Sequence, residues 1–267
     1  MKTQSAVILA ALALCAAHSF ALTPTPTDLA TLGTIPNTSY GTEWGPSKKI
    51  RVYKDLAYST RDDLSTEGAG FTGSTNNGRH RSGTYFDVYV RDDYITSVDQ
   101  RAKMPVFLFL HGGAWCQPYD KDVSCKWLLD CIAEKGYFVV SMDYQLQEDV
   151  ITDSNATERP NATFGHMLQD VDTMLEYLKN ELHKVNVSTN NIVIGGESAG
   201  GHLAMCYAFD ETNPLPMADV GLSPLTHPLH ISCVLSDVGP TDLSGGTMGE
   251  MMFSPYFELI VGMYPQL

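Results

Sequence analysis

The sequence is short of positive charge. Its 267 residues carry 17 lysines and arginines against 31 aspartates and glutamates, a formal net charge of −14. A surface this acidic repels phosphate backbones and anionic headgroups, which argues against nucleic acid and charged membrane as partners. Beyond residue 21 the chain also lacks any apolar run long enough to span a bilayer, so no membrane span is expected. It lacks internal repeats and any sign of a second domain, and its length suits one large α/β unit.

What is present begins at the N-terminus. Lys2 is followed by the apolar run Ala6 to Ala17, too short to cross a membrane, and by Ser19-Phe20-Ala21, with small residues where a signal peptidase reads. Residues 1–21 are therefore expected to be a secretory signal peptide. Removing them takes away Lys2 and no acid, leaving 16 − 31 = −15. Four Asn-x-Ser/Thr sequons, at Asn37, Asn155, Asn161 and Asn186, fit a secreted glycoprotein. Five cysteines remain: Cys116, Cys125, Cys131, Cys206 and Cys233. In an oxidising compartment some should pair, and Cys116 is near both Cys125 and Cys131. Cys206 and Cys233 lie in apolar stretches and read as buried thiols. An odd count leaves one cysteine without a partner in this chain.

Residues 22–47 are rich in Pro, Thr and Gly and read as an irregular arm; residues 48–267 read as the folded domain. Lys48 to Tyr58 suits a first strand, Thr60 to Gly83 an exposed polar loop, and Tyr85 to Val90 alternates as a half-buried strand does. Val106 to Leu110, Tyr137 to Met142 and Ile192 to Ile194 are apolar on both faces, as central parallel strands covered by helices are. Phe164, Met167, Leu168, Val171, Met174, Leu175 and Leu178 recur on one helical face. Strand and helix alternate, so the expected fold is α/β, with a mostly parallel central sheet flanked by helices.

Gly196-Glu197-Ser198-Ala199-Gly200 is a G-x-S-x-G pattern between a strand and an apolar helical stretch, the context in which it forms a nucleophile elbow. The turn is tight, so only small residues fit beside the serine, and the hydroxyl stands at a helix N-terminus that favours negative charge. A phosphate loop would need Lys-Ser/Thr after the glycines, and a dinucleotide loop needs glycines at i, i+2 and i+5; neither series is present. A second motif, His111-Gly112-Gly113-Ala114-Trp115, follows the strand Val106 to Leu110. Backbone N–H groups of Gly112, Gly113 and Ala199 could bind a tetrahedral oxyanion, each worth on the order of 3 kcal/mol in transition-state binding. His111 reads as a residue that holds the loop. Trp115 reads equally as pocket wall or core.

These stretches, with Phe86 to Val90, Gly136 to Tyr144 and Gly239-Pro240-Thr241-Asp242-Leu243, resemble the carboxylesterase and hormone-sensitive-lipase-like branch of the α/β hydrolases. The chain is most similar to its feruloyl-esterase-like group, BD-FAE. The resemblance runs over most of the mature chain. It implies a small carboxylic ester as substrate and no metal or organic cofactor. Two positions depart from it: Ala114, where many relatives carry glycine, and Gln145, where relatives often carry arginine.

Ser198 needs a histidine base, and the histidine an acid. In this fold both follow the serine in the chain. Only His202, His227 and His230 do so here. His202 lies one helical turn beyond Ser198 and reads as packing. His227 and His230 precede the strand Ile231 to Leu235 and so fall at its N-terminal end, whereas catalytic groups gather beyond carboxyl ends. Asp242 reads as structural. The triad histidine and acid are thus expected to be absent from this chain, along with the family's last two strands. Either the sequence is C-terminally incomplete, the preferred reading, or it is a short inactive relative. Three functions follow: a secreted ester hydrolase, a non-catalytic binding protein on the same fold, or a serine peptidase, against which the His-Gly-Gly loop argues. The natural ester and the oligomeric state are left open.

Overall fold

Val106-Phe107-Leu108-Phe109-Leu110 has no polar side chain on either face, and it forms an interior strand of a seven-stranded sheet. The structure, a computed structural model, describes residues 25–42, 49–60, 85–115, 121, 125–146 and 163–241. The expected signal peptide, Cys116, Asn155, Asn161, Asp242 and nearly all of the loop 60–83 lie outside the described residues.

The strands are β1 (Asn37–Gly41), β2 (Lys49–Ala57), β3 (Tyr85–Arg91), β4 (Val106–Leu110), β5 (Phe138–Met142), β6 (Ile192–Glu197) and β7 (Ile231–Asp237). Their order across the sheet is β1-β2-β3-β5-β4-β6-β7. β5, β4, β6 and β7 are paired parallel, whereas β1, β2 and β3 join antiparallel. From β4 the chain goes first to one side, forming β5, then recrosses to form β6 on the other. That reversal is a switch point, where a crevice opens beyond the carboxyl ends of the strands. Leu110 at the end of β4 stands level with Met142 and with Gly196.

Both faces of β4 are covered because alternate side chains enter different cores. Val106, Leu108 and Leu110 pack with the apolar face of α2 (Phe164–Glu181) and with Leu203, Ala204 and Tyr207 of α3 (Ala199–Asp210). Phe107 and Phe109 pack on the other side with Leu129 and Ala133 of α1 (Lys126–Glu134). Full burial of such a side chain is worth about 1.5–3 kcal/mol, so this strand alone supplies much of the attraction between layers. α2 starts where the sequence offers a cap: the Thr163 hydroxyl accepts from the His166 N–H at 3.4 Å, and His166 Nδ1 accepts from the Thr163 N–H at 3.1 Å.

Three expectations change. Within 22–47, Leu29–Thr34 forms a 3-10 turn and β1 pairs with β2. The arm is ordered because Leu29 and Leu32 are buried in the core, and the Leu29 N–H donates to Glu181 Oε2 at 3.0 Å. β3 is an interior strand, not a half-buried one, because β2 and β5 flank it and its polar Asp87 is fully buried. Cys233 is exposed on β7 rather than buried, while Cys206 is partly buried; no disulfide joins two described cysteines.

The loop entering β7 is tied down by one carboxylate. Asp172 on α2 accepts from the Tyr207 hydroxyl at 2.7 Å, from the Thr226 N–H at 3.0 Å and hydroxyl at 2.7 Å, and from the His227 N–H at 3.0 Å. Asp172→Ala strands several of these donors and is expected to cost about 2–3 kcal/mol, read as a lower urea midpoint with unchanged m-value.

Candidate active site

Ser198 sits between the end of β6 and the start of α3 with φ +51° and ψ −115°, a backbone conformation that L-residues avoid. The strain is held by contacts on both sides. The Ser198 N–H donates to the Asp237 carbonyl of β7 at 2.7 Å, and the Ser198 carbonyl accepts from the His202 N–H at 3.0 Å. The need for small neighbours is steric. A Cβ on Gly200 would stand 2.0 Å from the Leu110 carbonyl oxygen and 2.5 Å from that of His111; one on Gly196 would stand 2.4 Å from Leu110 O. The first turn of α3 thus rests on the last carbonyls of β4. Ala199 opens the helix, so its N–H has no intrahelical acceptor.

The same packing brings the second motif to the first. A Cβ on Gly112 would meet Glu197 Oε2 at 2.9 Å and the Glu197 carbonyl at 3.2 Å. The Gly112-Gly113 backbone therefore lies against the residue that precedes Ser198. Gly113, Ala114 and Trp115 all have positive φ, at 116°, 49° and 61°. Ala114 thus occupies a left-handed position, which glycine adopts without the roughly 1–2 kcal/mol that a Cβ costs. Trp115 is 2% exposed and belongs to the core.

The end of β5 and the residues just after it clamp His111 on one side and Lys121 on the other. The Tyr144 hydroxyl donates to the His111 carbonyl at 2.7 Å, and its ring stacks on the His111 imidazole at 4.2 Å. His111 Nδ1 lies 2.7 Å from the Gly112 carbonyl, so His111 holds the loop's start. On the other side the Lys121 N–H donates to Asp143 Oδ1 at 2.8 Å, and the Ser141 hydroxyl donates to the Lys121 carbonyl at 3.1 Å. The Lys121 ammonium is 1% exposed and stands 3.0, 3.5 and 3.8 Å from carboxylate oxygens of Asp55, Asp87 and Asp143. Sequence reading missed this cluster, since its four residues are scattered over nearly 90 positions and follow no motif. Gln145, the other departure, donates to both oxygens of buried Asp170, through its N–H at 2.7 Å and its Nε2 at 3.3 Å. A guanidinium at this position would meet the same carboxylate with two donors.

The three downstream histidines are placed as follows. His202 is largely buried between Trp115 and Phe164, with Nε2 3.4 Å from Cys206 Sγ. His227 holds Asp210 Oδ2 through Nε2 at 2.7 Å, at the N-terminal end of β7. His230 is exposed near Glu211. Among the described residues none is hydrogen-bonded to the Ser198 hydroxyl, and no cluster of His, Cys, Asp or Glu could hold a metal ion. No described helix is long and apolar enough to cross a membrane.

Two glycine-containing turns, one carrying a strained serine and one at positive φ, meet at the switch point of an α/β sheet. The BD-FAE family profile matches residues 92–252, which include both. The chain belongs to the BD-FAE family. As a BD-FAE protein it is similar over 170 residues, at 25% identity, to the probable carboxylic ester hydrolase LipM of Mycobacterium tuberculosis; the match covers 64% of this chain and 32% of LipM. It is also 33% identical over 99 residues to the kynurenine formamidase of Drosophila melanogaster, covering 37% of this chain and 28% of that enzyme. The chain thus spans about a third of these relatives' lengths. Among solved structures, Esterase B from Lactobacillus rhamnosis superposes with a TM-score of 0.53 at 19% identity, over 97% of this chain and 65% of the esterase. A tannin acyl hydrolase with ethyl gallate superposes with a TM-score of 0.53 at 16% identity, over 80% of this chain and 44% of the hydrolase. At such identities the likeness speaks to the fold, an α/β-hydrolase.

Burial pushes the His202 imidazole down to about 4, from 6.5. The unfolded chain takes up this proton near pH 6.5 and the folded chain only near 4. In that window the unfolded state binds more protons, so stability falls as pH drops through it. The loss attributable to His202 is expected to reach about 3 kcal/mol at pH 4. Urea melts at pH 7 and pH 4.5 check it: His202→Phe should show the smaller difference.

Proposed function

We propose that the chain is a secreted serine hydrolase for carboxylic esters of small molecules, with Ser198 as nucleophile and the N–H groups of Gly112, Gly113 and Ala199 as oxyanion hole. The observation that carries this reading is the contact between the two motifs. A serine on a strained turn and a glycine backbone with no side chain in the way are packed against each other beyond the carboxyl ends of β4 and β6. In the reaction Ser198 Oγ attacks the ester carbonyl carbon and, with no described histidine in reach of it, passes its proton to solvent water, from which the departing alkoxide takes one up. The carbonyl π electrons move to oxygen, where the amides hold the charge. Collapse expels the alcohol, and water then attacks the acyl-serine to release the acid. The relatives are named as an ester hydrolase, an esterase and a formamidase, all of which act on a carbonyl carbon.

A second reading, an α/β-hydrolase-fold binding protein without turnover, is favoured by one observation. His202 and His227 are each engaged away from Ser198. Hydrolysis of p-nitrophenyl acetate by the full chain decides between the two. Under the hydrolase reading the full chain turns over the ester above background and Ser198→Ala lowers that rate, by about 10²-fold or more where a base reaches the serine. Equal, near-background rates for both proteins overturn the hydrolase reading of this chain.

Secretion and glycosylation belong to the same proposal. Asn37 and Asn186 are both exposed, and each donates one Nδ2 hydrogen to a carbonyl, of Ile35 at 3.1 Å and of Val98 at 3.0 Å. The second hydrogen of each amide can be replaced by a sugar. Expressed from Met1 in a glycosylating host, the protein is expected in the medium with a mobility that N-glycosidase increases. Retention in the cell without a shift contradicts secretion.

A further inference from the structure

Three successive residues of the oxyanion loop, Gly113 to Trp115, stand at positive φ, and the last of them is a tryptophan. Such a conformation is costly for a bulky residue and persists only where packing enforces it. The Trp115 ring is met edge-on by the His202 ring, with centroids 5.3 Å apart and planes at 86°. His202 is backed in turn by Phe164 at 5.0 Å. Through its backbone N–H it also holds the Ser198 carbonyl, so one residue touches the loop with its ring and the elbow with its main chain. Its nitrogens do little: Nε2 rests against the Cys206 thiol, and Nδ1 is buried with no partner among the described residues.

We propose that His202 is a positioning residue whose neutral ring wedges Trp115 in its left-handed conformation and so sets the Gly112-Gly113 amides relative to Ser198. The proposal rests on the ester-hydrolase reading of this site. It also removes from consideration as a base the first histidine after the serine. The imidazole works as an aromatic plate, consistent with its staying neutral at ordinary pH.

The test uses the full chain and three variants: His202→Ala and His202→Gln, which remove the ring, and His202→Phe, which keeps it. Near-UV circular dichroism reads Trp115, whose contribution is defined by Trp115→Phe. Turnover of p-nitrophenyl acetate is measured per folded molecule, with the folded fraction taken from thermal melts. The ring-less variants are expected to lose the Trp115 band and to lower kcat by about 10–100-fold with KM within about threefold, as misplacement by an ångström does. His202→Phe is expected to restore both. The proposal is overturned if a folded ring-less variant keeps the Trp115 band, if kcat per folded molecule is unchanged, or if a folded His202→Phe restores neither. Should wild type show no Ser198-dependent turnover, it is the hydrolase reading that fails, and the wedge stands or falls on the Trp115 band alone.

Discussion

The first turn of α3 sits directly on the carbonyl oxygens that end β4, and the rest of the site depends on that contact. A Cβ on Gly200 would overlap Leu110 O, so no side chain can come between them. The helix therefore starts where it must, and the residue linking β6 to it has no room for ordinary backbone angles. Ser198 inherits the strain and, with it, a hydroxyl that stands clear of the sheet. The neighbouring strand closes the arrangement from the other side, through the Ser198 N–H and the Asp237 carbonyl. Remove either support and the left-handed serine has no reason to persist.

The second half of the site is held by different physics. His111 and Lys121 are fixed by hydrogen bonds and charge rather than by close packing alone. Residues 141–144, at the end of β5, reach both, through Tyr144 at His111 and through Ser141 and Asp143 at Lys121. A buried lysine among three carboxylates is costly to desolvate, and swapping such a cluster for apolar side chains often leaves stability unharmed. Its effect here is on position. The three carboxylates fix where the Lys121 charge is compensated, and so fix Lys121 against the end of β5.

Much of this was legible in the chain. β4 and β5 were visible because they have no polar face, and β6 because a G-x-S-x-G pattern terminates it. α2 was visible from a period of 3.6 held through Phe164 to Leu178. Ser198, Gly112 and Gly113 stood out because a strained turn and an open amide backbone demand particular residues at particular spacings. What could not be read depended on partners far away in sequence. The N-terminal arm looked irregular by composition, yet two leucines suffice to dock it once β2 and α2 provide the surface. β3 looked half-buried because Asp87 interrupts it, and the carboxylate is explained by distant partners, the Asp55 N–H and the Lys121 ammonium. Lys121 itself carries no signature, since its meaning lies in three aspartates that the fold gathers.

The sheet order has a consequence in time. Leu110 and Gly196 are level neighbours although 196 − 110 = 86 positions separate them. Ser198 then waits for Asp237, 39 positions further on. Pairings of such range form late, because the loops they close are long. A growing chain therefore holds both motifs well before it holds the site. Until β6 docks between β4 and β7, Ser198 is an ordinary serine, with relaxed angles and no amides beside it. Whatever reactivity the finished crevice has is withheld from the unfolded polypeptide, and arrives only with the completed sheet.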